Sequence, residues 1–212
     1  MIELLIVCGK GGCVRIGCIV LAAGKSSRFG GNKLQADLNG IPILVRTLRA
    51  LPTERFDCIA CVCASEVIAH LAETCGVPAK RYEGGSLSES IRTGLAEMPR
   101  VDGWMFVNGD QPLLKRDSLI RMLDAFAAHP DAVIRLSFGD VQASPSIFPA
   151  SARDALTALT GESGGMRAAK ALRLESIPVS AESEAELWDI DDEEARMRAI
   201  QYLNSKAPSK EA

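Results

Sequence analysis

Ile16-Gly17-Cys18-Ile19-Val20-Leu21-Ala22-Ala23-Gly24-Lys25-Ser26-Ser27-Arg28-Phe29-Gly30-Gly31-Asn32-Lys33 is the stretch from which the fold can be read. Its apolar start, Ile16 to Leu21, reads as a buried strand. The run then breaks into small residues, closely spaced glycines and the cations Lys25, Arg28 and Lys33. A backbone that must approach phosphates closely needs Gly and Ala, because a larger side chain would hold the ligand away. The cations supply the charge a polyphosphate demands. The spacing fits neither the P-loop, which ends in Gly-Lys-Ser/Thr, nor the dinucleotide fingerprint.

Outward from this stretch, apolar runs of strand length alternate with helical periodicity, which predicts an α/β fold. Lys33 to Ile41 reads as a short extended excursion turning at Asn39-Gly40. Pro42 then takes a first helical position, with Ile41, Leu44, Val45, Leu48 and Leu51 on one face and Pro52 as the stop. Cys58–Cys63 is a second strand, and Ser65 caps a helix to Thr74. Pro78–Tyr82 is a weak third strand, and Ser86-Leu87-Ser88-Glu89 opens the next helix as a capping box. Trp104–Val107 is a central strand ending in Asn108-Gly109-Asp110-Gln111-Pro112, followed by a helix over Ser118–Ala128. Later strands are expected at Ala132–Phe138, Ser146–Phe148 and Leu174–Val179, and helices at Ala150–Leu159 and from Trp188–Asp191 to about Leu203. The sum is a Rossmann-like, three-layer, doubly wound, mostly parallel (mixed) sheet.

In an open parallel sheet, ligands sit at the carboxyl ends of the strands. The opening loop, Gly85–Ser90 and Gly109–Pro112 all fall there. A carboxylate such as Asp110 facing a phosphate-binding loop would repel the ligand unless a hard cation stood between them. Mg2+ suits that place, since it takes one or two carboxylates plus phosphate oxygens. The plainer alternative for Asp110 is a turn-forming Asp after a strand.

The opening loop resembles the signature of nucleotidyltransferases that join an NTP to a phosphorylated acceptor, in particular the molybdenum cofactor cytidylyltransferases and other MobA-like NTP transferases. Their loop, Leu-Ala-Ala/Gly-Gly-x-Ser-x-Arg-Phe/Met-Gly-x-x-Lys, is filled here by Leu21, Ala22, Ala23, Gly24, Ser26, Arg28, Phe29, Gly30 and Lys33. The resemblance, which runs from Ile16 to about Leu203, implies a nucleotidyltransferase fold and CMP transfer from CTP to molybdopterin-type cofactor, releasing pyrophosphate. It implies nucleotide binding by Leu21, Ala22, Ala23, Gly24, Lys25 and Ser26, with Gly85, Ser86 and Ser88 meeting base and ribose. Asp110 and Asp191 are implied as Mg2+ ligands, the second from the segment Asp189-Ile190-Asp191. There Asp192-Glu193-Glu194 replaces the family's Thr-Pro-Glu, and an acidic cap on the last helix is the alternative reading. Lys33 is expected on the α-phosphate and Arg28 with Lys25 on the β- and γ-phosphates.

Such a transfer needs no catalytic histidine, because a phosphate monoester is already largely dianionic near neutral pH. His70 and His129, the two in the chain, read as surface or capping residues, and Arg92, one turn after Ser88, as an exposed helical Arg, with a position facing the site as the alternative. Ala23 and Gly109-Asp110-Gln111-Pro112 favour CTP over GTP within the group. The acceptor half matches less well: Ala143-Ser144-Pro145-Ser146-Ile147-Phe148 stands for Gly-His-Pro-x-x-Phe, and Gly161–Gly165 for Gly-Asp-x-Gly-Ala. Two alternatives therefore stay open: a guanylyl- or sugar-phosphate-type transferase, and a non-catalytic nucleotide- or cofactor-binding accessory of molybdenum hydroxylases.

The 212 residues suit one domain over residues 14–203, with 1–13 as an extension and 204–212 as a disordered tail. A net charge of −3 argues against nucleic acid or a charged membrane surface as partner. No apolar run approaches the ~20 residues of a membrane span. A cytoplasmic location is expected, with the seven cysteines as reduced thiols, several of them filling a core. Cys8, Cys13 and Cys18 recur without a zinc spacing or a nearby His.

Overall fold

The computed structural model describes residues 14–24, 29 and 32–206. In chain order the elements are β1 (Ile16–Ala22), β2 (Asp37–Leu38), β3 (Ile41–Pro42), α1 (Ile43–Ala50), β4 (Cys58–Cys63), α2 (Glu66–Thr74), β5 (Ala79–Arg81) and α3 (Leu87–Glu97). They continue with β6 (Gly103–Asn108), α4 (Arg116–Ala128), β7 (Val133–Phe138), β8 (Val141–Pro149), α5 (Arg153–Thr157), α6 (Gly165–Ala171), β9 (Ser176–Ser180) and α7 (Glu193–Lys206). Seven strands form one sheet in the order β5-β4-β1-β6-β8-β7-β9, while β2 and β3 pair as a separate small hairpin. β8 runs antiparallel to both neighbours, and every other pairing in the sheet is parallel. The expected mixed, doubly wound architecture is what the chain adopts.

The central strands are apolar on both faces because both faces are covered. Cys18, Val20, Ala22, Cys61, Cys63, Met105 and Val107 point into one core, shared with buried residues of α1, α2, α4 and α7. Ile19, Ala60, Val62, Trp104 and Phe106 point into the other, with α3, α5 and α6. The alternation follows the two-residue period of a strand. Cys18, Cys61 and Cys63 are thus core residues, and burial, the largest influence, pushes the Cys18 and Cys61 thiols well above their ordinary value. Cys8 and Cys13 lie outside the described residues.

Local signals were obeyed where they were strong. Ser65 caps α2 by accepting from the Ile68 N–H at 3.3 Å. Asn39 and Gly40 both take positive φ, as the β2–β3 turn requires. The first helix differs from expectation: it starts at Ile43, and Ile41 and Pro42 instead pair with Leu38 and Asp37. Pro42 stands as its N-cap with extended ψ of 146°.

The second half departs further. Only Ser146–Phe148 was expected as a strand, yet β8 begins at Val141 and forms a hairpin with β7 through Phe138↔Val141. Polar Gln142 and Ser144 hid it, since cross-strand pairing leaves no apolar periodicity when a face is open. The expected helix Ala150–Leu159 is a 3₁₀ turn, Ala150–Ala152, leading into the short α5. α7 continues to Lys206, so Asn204 to Lys206 belong to it rather than to a tail, and the Asn39 side chain donates to Asn204 at 2.8 Å. The remaining expectations about residues 1–13 and 207–212 fall outside the described residues. No described helix is long and apolar enough to cross a membrane.

Candidate active site

The chain leaves β1 for β4 and β5 on one side and returns through β6 on the other. That reversal opens a crevice at the carboxyl ends of β1 and β6, where open α/β sheets hold ligands. Leu21 lies across from Asn108 in register, so the loops that follow both strands emerge side by side. Ala22 and Ala23 are buried at the base of the first loop, Leu21 is half-buried, and Gly24 is exposed. Lys25, Ser26 and Arg28 lie outside the described residues.

Asp110 is held by its backbone. The Gly109 N–H donates to Leu21 O at 2.9 Å, and the buried Thr47 hydroxyl donates to Gly109 O at 3.0 Å. A Cβ on Gly109 would stand 3.2 Å from Leu44 and 3.3 Å from Ala22, tight enough that these neighbours would have to give way slightly. On the far side, the Ile190 N–H donates to Asp110 O at 3.0 Å. Ile190 is fully buried, which fixes Asp189 and Asp191 on either side of an anchored residue.

Lys33 completes the cluster. It starts a 3₁₀ turn, Lys33–Gln35, that the Asn32 side chain caps by accepting from Leu34 N–H. Its Nζ lies 2.6 Å from Asp110 Oδ2 and 2.8 Å from Asp191 Oδ1. The Lys33 and Asp110 side chains are 12% and 17% exposed, against 58% for Asp191, so the first pair is shielded and the second opens to solvent. Burial is the largest single influence on Lys33 and lowers its pKa, but the attraction and hydrogen bonds of Asp110 and Asp191 together outweigh it. The net shift is upward, and Lys33 stays charged. Asp110 Oδ1 is buried with no hydrogen-bond partner among the described residues.

Asp189, not singled out from the sequence as a site residue, joins this group. The residue as a whole is exposed, yet desolvation of its carboxyl first, and then the charge of Asp110, push its pKa up to about 6, against a hydrogen bond from Asn108 that lowers it. Glu186 was also overlooked. It is fully buried and accepts from the N–H groups of Glu182 (2.7 Å), Ser183 (3.4 Å) and Lys115 (3.1 Å), which ties the turn before Asp189 to the start of α4. Ser183-Glu184-Ala185-Glu186 is a capping-box pattern, so a local signal for it existed. The acidic cap of α7 falls to Asp192, whose Oδ1 accepts from Ala195 N–H at 2.8 Å. Asp191 is left to Lys33.

Gly85, Ser86 and Ser88 sit at the start of α3, where the chain satisfies its own donors. The Ser86 N–H donates to Glu89 Oε2 at 2.8 Å and the Leu87 N–H to Glu162 at 3.3 Å, while the Ser88 N–H reaches Gly161 O at 3.2 Å. A Cβ on Gly85 would overlap the Glu89 carboxylate. Ser88 is buried, its hydroxyl 3.0 Å from that of Ser86. Arg92 bridges to the carbonyls of Thr157 (3.2 Å) and Leu159 (2.9 Å), at the end of α5. His70 and His129 are exposed, the second as the C-cap of α4.

The model of the MobA-like NTP transferase domain matches residues 18–177, and the chain belongs to that family. It is 29% identical to the purine catabolism protein PucB of Bacillus subtilis over 194 residues, covering 83% of this chain and 91% of that one. Among solved structures it is similar to the manganese complex of Rv0371c from Mycobacterium tuberculosis, with 22% identity, a TM-score of 0.71, and 89% and 99% of the two chains covered. It is also similar to the molybdopterin-guanine dinucleotide biosynthesis protein A of Archaeoglobus fulgidus, with 17% identity, a TM-score of 0.69 and the same coverage. At these identities the structures establish the fold alone.

Proposed function

We propose that the chain transfers CMP from CTP, in preference to GTP, to the phosphate of a molybdopterin-type molybdenum cofactor. A non-bridging oxygen of the acceptor phosphate attacks the α-phosphorus, a P–O–P bond forms, and the bond to the β-phosphate breaks with release of pyrophosphate. The observation that carries this reading is the meeting of Lys33, Asp110 and Asp191 at the crevice between β1 and β6. No protein base is required, because the nucleophile arrives ionised. What the chain provides is position and charge.

The carboxylates fit a hard divalent cation. Asp110 Oδ1 is a buried acceptor without a partner among the described residues, and Asp191 is exposed beside it. No group of three or more His, Cys, Asp or Glu gathers into a complete metal cage among the described residues. A pair of carboxylates is the donor set that Mg2+ uses when phosphate oxygens and water complete its shell. Bound there, Mg2+ would neutralise charge on the phosphates of the nucleotide. Lys33, kept protonated by its acidic neighbours, serves the α-phosphate, and Arg28 and Lys25 serve the β- and γ-phosphates. Leu21 to Gly24 and Ser26 carry the nucleotide against the backbone, with Gly85, Ser86 and Ser88 on the base and ribose side. A cytoplasmic location is part of the same proposal. Its product would serve a molybdenum hydroxylase, and similarity to a purine catabolism protein is compatible with such a partner.

The test is pyrophosphate release with CTP and GTP in parallel, with and without molybdenum-loaded molybdopterin, in Mg2+. Release that needs CTP and acceptor together is expected. Absence of release in every combination overturns the reading, and nucleotide binding without release would turn the chain into an accessory.

A further inference from the structure

Lys33 reaches the crevice from outside the seven-stranded sheet. It opens an excursion through the turn Lys33–Gln35 and the β2–β3 hairpin, which pairs separately from the main sheet. Asp110 is fixed at the end of β6, and Asp191 by its buried neighbour Ile190, whose N–H donates to Asp110 O. Both carboxylates thus have anchors of their own. Where the Lys33 ammonium stands between them depends on what holds the excursion. Buried Leu34 and Leu38 moor it to the core. Arg46 of α1 grips it from one side, donating from Nε (2.9 Å) and Nη2 (2.6 Å) to Leu38 O.

Arg196 grips it from the other. It lies at the start of α7, the helix that begins just beyond Asp191. Its Nη1 donates across to Asp37 O, on β2, at 2.6 Å. Its Nε (2.8 Å) and Nη2 fork onto the two carboxylate oxygens of Glu193. A planar guanidinium held along one edge by a carboxylate has its remaining nitrogen aimed. Arg196 therefore joins the two backbone segments whose side chains, Lys33 and Asp191, meet at 2.8 Å in the crevice. Glu193 is exposed, and as a surface ion pair the fork contributes little to stability. What it supplies is direction. A second tie, Asn39 to Asn204, joins the same hairpin to the far end of the same helix, away from Asp191.

We infer that Arg196 is a positioning residue for Lys33: by tying the start of α7 to β2 it sets where the Lys33 ammonium stands relative to Asp191 and Asp110. This rests on the proposed transfer reaction, in which Lys33 serves the α-phosphate. A charged group misplaced by an ångström is enough to cost an order of magnitude or more in rate.

Arg196→Met keeps the aliphatic stem and removes the fork. In the full chain it should lower kcat about tenfold. Without substrates, Lys33 should react with acetic anhydride about fivefold faster than in the wild type, because its shielded side chain is less firmly held. Peptide mass spectrometry reads this site by site, with Lys80 on β5 as the internal reference. Asn204→Ala removes the far tie and should leave kcat and Lys33 labelling within about twofold of wild type. An unchanged kcat or unchanged Lys33 labelling in folded Arg196→Met overturns the inference. A parallel rise at Lys80, or an equal effect of Asn204→Ala, also overturns it, since either would mean general loosening or helix docking alone. If Arg196→Met does not fold, Glu193→Gln, which weakens the fork, takes its place with an expected change of about threefold in the same directions. Failure of both to fold overturns the inference. If the wild-type chain shows no acceptor-dependent pyrophosphate release, the transfer reading fails by itself, and Lys33 labelling decides for Arg196. Faster labelling of the variant then upholds the tie, and equal labelling ends it.

Discussion

Two stretches of this chain carry glycine beside polar side chains after a strand, Gly84-Gly85-Ser86 before α3 and Asn108-Gly109-Asp110 after β6, and they differ in what the fold has done with them. At the start of α3 the donors are taken: Glu89 and Glu162 accept from the Ser86 and Leu87 N–H groups, and Ser88 is buried. At the crevice between β1 and β6, Asp110 keeps a buried oxygen without a partner among the described residues, and Asp191 and Asp189 crowd the same place. A set of polar groups that answers itself stabilises a helix end. One that concentrates like charge around a single Lys is poised for a ligand of its own chemistry. The α3 end would meet base and ribose with groups whose places are already fixed, whereas the crevice offers a ligand an acceptor still unanswered among the described residues.

The comparison breaks first at Asp110. Asp110→Asn should lower turnover by roughly 10³, the upper end for removal of one charge-stabilising group. The scaffold should survive, because Asp110 holds Ile190 through its main-chain carbonyl. Near-normal pyrophosphate release from a folded variant would remove the crevice from the chemistry. Lys33→Ala should cost ~10² in kcat. The same variant should bind Mn2+ more tightly without nucleotide, since Asp110 and Asp191 lose their internal partner. Weaker Mn2+ binding, read by electron paramagnetic resonance, would show that the Lys orders the carboxylates instead of competing for them.

The α3 end should respond in stability. Gly85→Ala displaces the Glu89 carboxylate and should cost about 1 kcal/mol, the usual value of a lost cap. That corresponds to a fall in Tm of roughly 2–4 °C for a chain of this size. A variant with an unchanged Tm would mean that Glu89 contributes nothing as a cap.

The last effect, one of pH dependence, concerns Asp189. Its folded pKa of about 6 lies above the ordinary aspartate value of 3.8, so between those two the folded chain holds a proton that the unfolded chain has lost. The stability this group contributes is therefore present below about pH 4 and is lost as pH rises through about 6. Asp189→Asn carries no such charge, so its Tm relative to wild type should rise between pH 5 and pH 8. A difference that is flat with pH would contradict the crowding described for the crevice.

Much of this was legible beforehand. β4, the Ser65 cap, the start of α3 and the turn at Asn39-Gly40 depend on neighbours a few residues away, and the sequence displays those directly. β8 was half hidden because its outer residues are held by hydrogen bonds across to β7 and by a bulge, neither of which leaves a hydrophobic period. Asp189, Glu186 and the reach of Arg196 to Asp37 had no long-range signal at all, since each acquires meaning from the element packed against it.

The sequence by itself determined the strand and helix alternation, the glycine-rich opening loop, the family resemblance and the kinds of charge available. Those follow from period, capping chemistry and spacing, all of which act over a few residues. Only the tertiary structure decided which charges meet. Lys33 and Asp191 stand 158 residues apart in the chain and 2.8 Å apart in space. Their approach is set by the β1–β6 register and by the buried Ile190, and long-range register is a property of the whole packed sheet.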